Sequence, residues 1–191
     1  MTSTIPAPVA GASTTWQLDP AHSHVEFSVK HLMIARVKGR FADVTGTVEL
    51  GADPAAATVD VVIDAASIDT REAKRDAHLR SADFFDVEQF PTIAFRSREV
   101  RPTGAAELSV VGDLTIRDVT REVTLEVTDE GRGTDPWGGE RAGFSATAQI
   151  DRRDFGLTWN QALEAGGVLV GNEIRIALEV ELVKQAAAEA A

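Results

Sequence analysis

The chain has 191 residues, of which 43% are hydrophobic and 26% charged, and it contains no cysteine. This length and balance predict one globular domain with a core of its own. The absence of cysteine excludes disulfides, thiol nucleophiles and Cys-ligated metal sites. Nineteen Lys and Arg against 30 Asp and Glu give a net charge of −11, and the long-range field of such a chain argues against nucleic acid or an anionic lipid surface as a general partner. No apolar run approaches the ~20 residues of a transmembrane helix.

The two ends of the chain differ in composition from its body. Residues 1–14 are small, polar and interrupted by proline, and residues 186–191 contain only Ala and Glu. Both stretches predict disordered tails around a folded domain at residues 15–185. Residues 1–14 carry no Lys or Arg and no apolar run, whereas a secretory signal has both. We therefore expect a cytoplasmic protein.

Between the tails, hydrophobic and polar residues alternate with a period of two, which is typical of half-buried strands. The alternation predicts eight strands, at residues 25–33, 36–50, 59–63, 92–100, 108–116, 119–127, 144–150 and 174–182. In the second of these the alternation changes phase near Ala42–Asp43, which predicts a β-bulge.

Most connections between these strands are short, and Arg117-Asp118 fits a two-residue hairpin turn. Short connections make sequential strands antiparallel neighbours. Eight such strands leave no exposed edge when the sheet closes on itself. The expected fold is therefore all-β, an eight-stranded antiparallel up-and-down barrel, and a double-sheet sandwich is the alternative.

Two longer connections interrupt the predicted strands. Residues 67–91, between the third and fourth strands, predict a helix from Arg71 to about Arg80, with Asp69 and Glu72 at capping-box spacing. Residues 152–172 are long enough for a lid or binding loop and contain one predicted helical turn at residues 160–164. The glycine-rich residues 129–141 predict a mobile, solvent-facing loop.

The predicted barrel interior is the first candidate for function. An eight-stranded barrel is either filled by side chains or wide enough for one small ligand. The small inward residues, among them Gly39, Gly112 and Ala146, favour a hollow interior. The inward phenylalanines favour a filled one, and the pattern alone leaves both open.

The predicted helix carries a cationic face, because Arg71, Lys74, Arg75 and His78 follow helical spacing. Such a face can receive a phosphate or a polar head group, or it can be an ordinary solvated surface.

Metal binding and catalysis have weaker support in the sequence. His22 and His24 fall on one side of a predicted strand and, with Asp19, His31 and His78, supply ligand types that metals use. Histidines near strand ends are more often structural, so we expect no metal. No Gly-x-Ser-x-Gly, His-Glu-x-x-His, Walker or Gly-x-Gly-x-x-Gly motif occurs, and we do not expect an enzyme.

Several separated motifs resemble the YceI-like family, in order, from about Trp16 to Lys184. They are Leu18-Asp19-Pro20-Ala21-His22-Ser23-His24-Val25-Glu26-Phe27, Ser67-Ile68-Asp69-Thr70, Arg75-Asp76-Ala77-His78-Leu79-Arg80-Ser81-Ala82-Asp83-Phe84-Phe85-Asp86, Phe90-Pro91-Thr92-Ile93-Ala94-Phe95, Gly112-Asp113-Leu114-Thr115-Ile116 and Asp151-Arg152-Arg153-Asp154-Phe155-Gly156-Leu157. The resemblance implies an extended lipocalin-like barrel with an apolar cavity for an isoprenoid chain, such as a polyprenyl phosphate or a quinone. Members are commonly periplasmic, some are related to stress, and some are dimers, so a homodimer is implied as well.

We therefore expect a non-enzymatic carrier of an isoprenoid lipid, with no cofactor beyond that lipid. An enzyme or accessory factor of isoprenoid metabolism that uses His22, His24 and His78 is one alternative. Sequestration of other apolar molecules in stress and a filled, partner-binding barrel are two more. Arg71, Arg75 and His78 are the expected head-group contacts. The expected ligand-binding residues are Phe27, Val29, Phe41, Val61, Ile63, Phe95, Leu114, Phe144, Ala146 and Ile176 along the wall, and Phe84, Phe85 and Trp159 at the mouth.

Overall fold

The computed structural model describes residues 13–164 and 166–186. Its one α-helix is α1 (Ala73–Arg80), and 3₁₀ turns occupy Pro54–Ala56, Ala65–Ser67 and Arg152–Phe155. The strands are β1 (Thr14–Leu18), β2 (His24–His31), β3 (Ala35–Phe41), β4 (Val44–Leu50), β5 (Thr58–Asp64), β6 (Ile68–Asp69), β7 (Thr92–Pro102), β8 (Glu107–Ile116), β9 (Val119–Thr134), β10 (Glu140–Asp151) and β11 (Val170–Lys184).

All eleven strands belong to one antiparallel sheet that closes on itself. The order β1-β4-β5-β7-β8-β9-β10-β11 forms a ring, because β11 also pairs with β1. β2, β3 and β6 continue β1, β4 and β5 after short interruptions, so each of these three pairs acts as one interrupted strand. The expected eight-stranded antiparallel barrel is confirmed, and the sandwich is excluded. The helical insertion lies between the third and fourth of the eight strands.

The phase change at Ala42–Asp43 is a break between two strands and not the predicted bulge. Phe41 ends β3, which pairs with β6, and Val44 begins β4, which pairs with β5. Phe41 and Val44 both line the cavity, whereas residues three apart in one regular strand would face opposite sides of the sheet. The chain turns here from one part of the barrel wall to the next.

Several predicted boundaries are wrong. Thr14 belongs to β1, one residue before the predicted domain boundary. The disordered tails stay a prediction, because all of their residues except Ser13, Thr14 and Ala186 lie outside the described part of the chain. Met33 lies in a turn beyond the end of β2 and not in a strand. β9 and β10 extend through most of the predicted 129–141 loop, because their ladder pairs Thr134 with Glu140.

The predicted helical features also differ in detail. α1 begins at Ala73, because Arg71 has a left-handed backbone (φ 62°) and Glu72 is itself the N-cap, accepting from the Lys74 and Arg75 amides. The predicted turn at residues 160–164 is not helical. A bridge from Ala162 to Val168 makes this segment a small hairpin instead.

The strand directions define two ends of the barrel. The end with α1, the β2–β3 turn and residues 152–169 is called the helix end below. The opposite end, with β1 and the β9–β10 loop at residues 135–139, is called the Trp137 end. Ile68 and Phe155 are fully buried at the helix end, and Leu182 is fully buried at the Trp137 end.

Candidate functional site

A cavity of about 290 Å³ occupies the barrel interior. All eight strands contribute to its lining, and the surface it presents is apolar throughout. Its volume is close to the lower end of the ~300–1,000 Å³ typical of small-molecule sites. The interior is therefore hollow, which settles the choice that the strand pattern left open.

The phenylalanines of the wall do not plug the lumen. Phe27, Phe41 and Phe144 point inward and line the cavity, yet each is only half-buried. Rings packed in a solid core lose nearly all of their accessible surface. These rings therefore line the empty space and do not fill it.

Two glycines explain how large rings leave the lumen open. Gly39 lies opposite Phe27 in the β2–β3 ladder, and a Cβ built on Gly39 would lie 2.4 Å from Phe27 Cζ. A Cβ on Gly112 would lie 2.5 Å from Phe95 Cζ. Each ring thus lies against the sheet over a glycine. Because glycine has no side chain, the ring packs against the wall at that position and does not enter the lumen.

The structure places every predicted wall and mouth residue in the cavity lining except Trp159. Trp159 instead packs edge-on against the His78 ring, with 4.6 Å between the ring centroids, and its centroid lies 5.4 Å from that of the Phe84 ring. Ligand contact by these residues stays a prediction. Those that line the cavity are Phe27, Val29, Phe41, Val61, Ile63, Phe84, Phe85, Phe95, Leu114, Phe144, Ala146 and Ile176.

The three predicted head-group residues do not line the cavity. Arg71 precedes α1, so it does not share a helical face with Arg75 and His78. Arg75 donates from Nε to Thr70 Oγ1 (2.7 Å) and from Nη2 to the Thr70 carbonyl (2.8 Å), which ties the helix to the chain before it. His78 Nε2 lies 2.8 Å from Asp83 Oδ2. A head-group role for these residues has no support from their geometry.

Arg152 is a buried charged residue at the cavity that the sequence analysis missed as a site residue. It is buried (3% exposed) and among the lining residues. Nη1 donates to the carbonyls of Leu157 (2.6 Å) and Trp159 (2.9 Å), and Nε donates to the Gly171 carbonyl (2.9 Å). Burial lowers its pKa from the ordinary value. The guanidinium holds the 157–171 segment against the helix end of the barrel.

A partly exposed charge cluster lies at the Trp137 end. Ligand atoms of Asp19, His22 and Glu181 fall within 4.8 Å of one another. The Arg141 guanidinium already binds this group, donating to Asp19 (2.7 Å) and Glu181 (2.8 Å). The hydrogen bond with His22 contributes most to lowering the pKa of Asp19 to about 2, and the same bond raises the pKa of His22. The cluster is a salt-bridge network with its own cation.

The histidines proposed for catalysis do not meet. His22 precedes β2 at the Trp137 end and therefore does not share a strand with His24, whereas His78 lies on α1 at the helix end. Among the described residues, no histidine lines the cavity. No helix within residues 13–164 and 166–186 combines the length and hydropathy needed to cross a membrane.

The closed ring of strands and the apolar lumen define a class of hollow, antiparallel up-and-down barrels. Within that class the chain belongs to the YceI family, because the YceI-like domain model matches residues 16–182. The protein YceI of Salmonella newport is 40% identical over 165 residues, which cover 86% of this chain and 83% of that protein.

Two solved structures share the fold. BcnA of Burkholderia cenocepacia superposes with a TM-score of 0.75 at 24% identity, covering 86% of this chain and 98% of BcnA. A polyisoprenoid-binding domain from Saccharophagus degradans, implicated in plant cell wall breakdown, superposes with a TM-score of 0.65 at 14% identity, covering 90% of this chain and 99% of that domain. At these identities the likeness concerns the fold.

Proposed function

We propose that this protein binds a long apolar molecule of the isoprenoid class inside the barrel and does not change it chemically. The observation that carries the proposal is the continuous apolar lumen of about 290 Å³. Each methylene moved from water into such a lumen contributes roughly 0.8 kcal/mol. A chain of isoprene units is then held without a dense set of polar contacts.

Two further observations support a binding role. The titratable residues in the lining are Glu26 and Arg152, and the accessible surface of the cavity includes no polar atom of either. The Saccharophagus degradans domain with the same fold is described as polyisoprenoid-binding. A polyprenyl phosphate and a quinone both have the long, narrow tail that suits this lumen. A homodimer and the cytoplasmic location stay predictions.

The experiment uses the full chain after removal of co-purified lipid. Binding of a ubiquinone is followed by quenching of tryptophan fluorescence, and binding of undecaprenyl phosphate by native mass spectrometry. Ala146 lines the cavity from β10, so Ala146→Phe places a ring in the lumen. We expect affinity to fall by at least ~10-fold because the ring takes volume that the ligand needs.

The matched control is Gln149→Phe, which adds the same ring to an exposed position on the same strand. It should leave affinity unchanged. If the wild-type chain binds neither probe, or if Ala146→Phe binds both as well as wild type does, the lumen is not the site and the proposal fails.

A further inference from the structure

The turn between β2 and β3 exposes three consecutive apolar side chains at the helix end. Leu32 is 38% exposed, Met33 53% and Ile34 87%. Soluble proteins rarely display such a run unless it has a function. These three residues are called the apolar tip below.

The backbone of the apolar tip is strained as well as exposed. Leu32 and Met33 have left-handed backbones, with φ of 52° and 61°, and the turn closes when the Ile34 amide donates to the His31 carbonyl (3.2 Å). The ladder pairs His31 with Ala35, so the loop has three residues, and its first two take a positive φ that Asn and Gly adopt more easily than Leu or Met. Folding alone therefore favours other residues at both positions.

Cations surround the apolar tip on the outer face of the same hairpin. Lys30 and Arg36 lie directly opposite each other in the ladder, and Lys38 follows opposite Ser28. All three cations are exposed, and residues 27–42 contain no Asp or Glu. On the neighbouring strand, Glu173 is paired with Arg175. Like charges opposite each other are destabilising, and a bound anion relieves that repulsion.

The apolar tip lies at the end of the lumen. His31 pairs with Val170, and the Leu32 amide donates to the Leu169 carbonyl (2.9 Å). Val29 and Val170, which flank this junction, line the cavity. A surface that receives the tip is therefore brought next to the helix end of the cavity.

We propose that the apolar tip docks on an anionic phospholipid bilayer. Leu32, Met33 and Ile34 enter the interfacial layer, and Lys30, Arg36 and Lys38 contact lipid phosphates. Apolar residues beside cations are the combination that holds proteins at such surfaces. The net charge of −11 opposes approach at long range, but at ~0.15 M salt charges more than about 8 Å away are largely screened, so the local cations dominate at contact. Docking places the cavity against the bilayer in which an isoprenoid ligand dissolves. That last step rests on the proposed function, whereas docking itself does not.

A second copy of this chain fits the same surface less well. Two copies joined by this face would bring Lys30, Arg36 and Lys38 of one close to those of the other. Residues 35–39 of β3 also have β2 as their only partner strand among the described residues. Cations on such an edge discourage pairing with another strand.

The experiment measures co-sedimentation of the delipidated chain with vesicles of phosphatidylcholine, with and without phosphatidylglycerol. We expect binding to the anionic vesicles that weakens with added salt, because phosphate contacts are screened. The double variant Met33→Ser/Ile34→Ser should bind at least ~5-fold more weakly, because apolar insertion is lost. Lys30→Glu/Arg36→Glu should abolish binding.

Trp137→Ser is the matched control, since Trp137 is 88% exposed at the opposite end of the barrel. It should bind vesicles like wild type. Absence of binding to anionic vesicles, equal binding to neutral ones, or binding that Met33→Ser/Ile34→Ser leaves unchanged overturns the proposal. Self-association that the same double variant abolishes, without vesicle binding, identifies a second copy as the occupant and also overturns it.

Ubiquinone binding in solution is measured on the same preparations. A chain that binds the quinone but not the vesicles disproves docking and leaves the cavity function standing. A chain that binds vesicles but neither quinone nor polyprenyl phosphate supports docking and disproves the cavity function.

Discussion

The two ends of the barrel each carry a hairpin with a large exposed apolar residue, yet the two turns are built differently. Around Trp137, Asp135 accepts from the amides of Trp137 (3.0 Å) and Gly139 (2.8 Å), and Gly138 takes the positive φ. At the helix end, Leu32 and Met33 take positive φ themselves. The Trp137 turn is explained by ordinary turn chemistry, whereas the apolar tip requires a reason outside folding.

The largest expected effect concerns the support of the helix end. Arg152→Met leaves the carbonyls of Leu157, Trp159 and Gly171 without their buried donor. Since each unsatisfied buried group costs about 1–3 kcal/mol, we expect a loss of roughly 3 kcal/mol or more in the free energy of unfolding. Urea unfolding measures the loss.

Hydrogen exchange tests whether that loss is confined to one end. Residues 157–171 should exchange faster in Arg152→Met while residues 135–139 do not change. Arg153→Met is the control, because Arg153 is exposed and pairs with Asp151, and an exposed pair contributes little. Equal stability of the two variants would show that Arg152 does not hold the helix end.

The next effect concerns the lumen between the two ends. The atoms nearest a Cβ on Gly39 are the ends of side chains, namely the Phe27 ring and the Thr70 methyl, whereas those nearest a Cβ on Gly112 include the Arg96 carbonyl at 2.5 Å. In Gly39→Ala the Phe27 ring can swing into the lumen, so ligand capacity falls more than stability. In Gly112→Ala the backbone must shift, which costs about 2 kcal/mol.

Urea unfolding and quinone titration of both variants check this difference. Gly112→Ala should be the less stable of the two. If Gly39→Ala binds ligand like wild type, the glycine does not keep the Phe27 ring on the wall.

A smaller effect, an increase in the free energy of unfolding, distinguishes the two turns directly. Leu32→Asn/Met33→Gly supplies residues that accept positive φ, and it should stabilise the fold by about 1–2 kcal/mol. Trp137→Ser should change stability by less than about 0.5 kcal/mol, because its turn carries no such strain. Thermal unfolding compares them. A destabilised Leu32→Asn/Met33→Gly variant would refute the strain at the apolar tip, and vesicle binding retained by that variant would refute the role of its side chains.

The smallest effect is a pH dependence confined to the Trp137 end. The His22 contribution to stability is complete below its ordinary pKa of ~6.5 and disappears as pH rises through its raised value. The Asp19 contribution is complete above its ordinary value and is lost as pH falls through about 2. The pair therefore stabilises most between about pH 4 and 6.5.

Chemical unfolding of His22→Gln tests this window. The unfolding midpoint of the variant should fall further below that of wild type near pH 5.5 than near pH 8.5. The change between the two pH values should be small, as is typical of exposed ion pairs. His24→Gln, which lies outside the cluster, serves as control. If the difference in midpoint between His22→Gln and wild type does not depend on pH, the ion pair is not its cause.

The strands and the inward residues could be predicted from the sequence because half-buried strands carry a period of two. Residues 129–134 were misread because their glycines suggest a loop, whereas the ladder with β10 keeps them in a strand. The helix start was wrong because nothing local marks the left-handed Arg71. Arg152 was missed as a site residue because its partners are backbone carbonyls, which leave no trace in a sequence.

The length of the strands has a consequence for what the barrel selects. β11 contains 15 residues, and a strand of that length spans about 50 Å at ~3.3 Å per residue, or about 35–40 Å along the barrel axis when tilted by ~35–45°. Such a wall encloses a tube and not a bowl, so a bound tail lies stretched along it. Under the proposed function, affinity should then climb with every added prenyl unit and level off once the tail is longer than the tube.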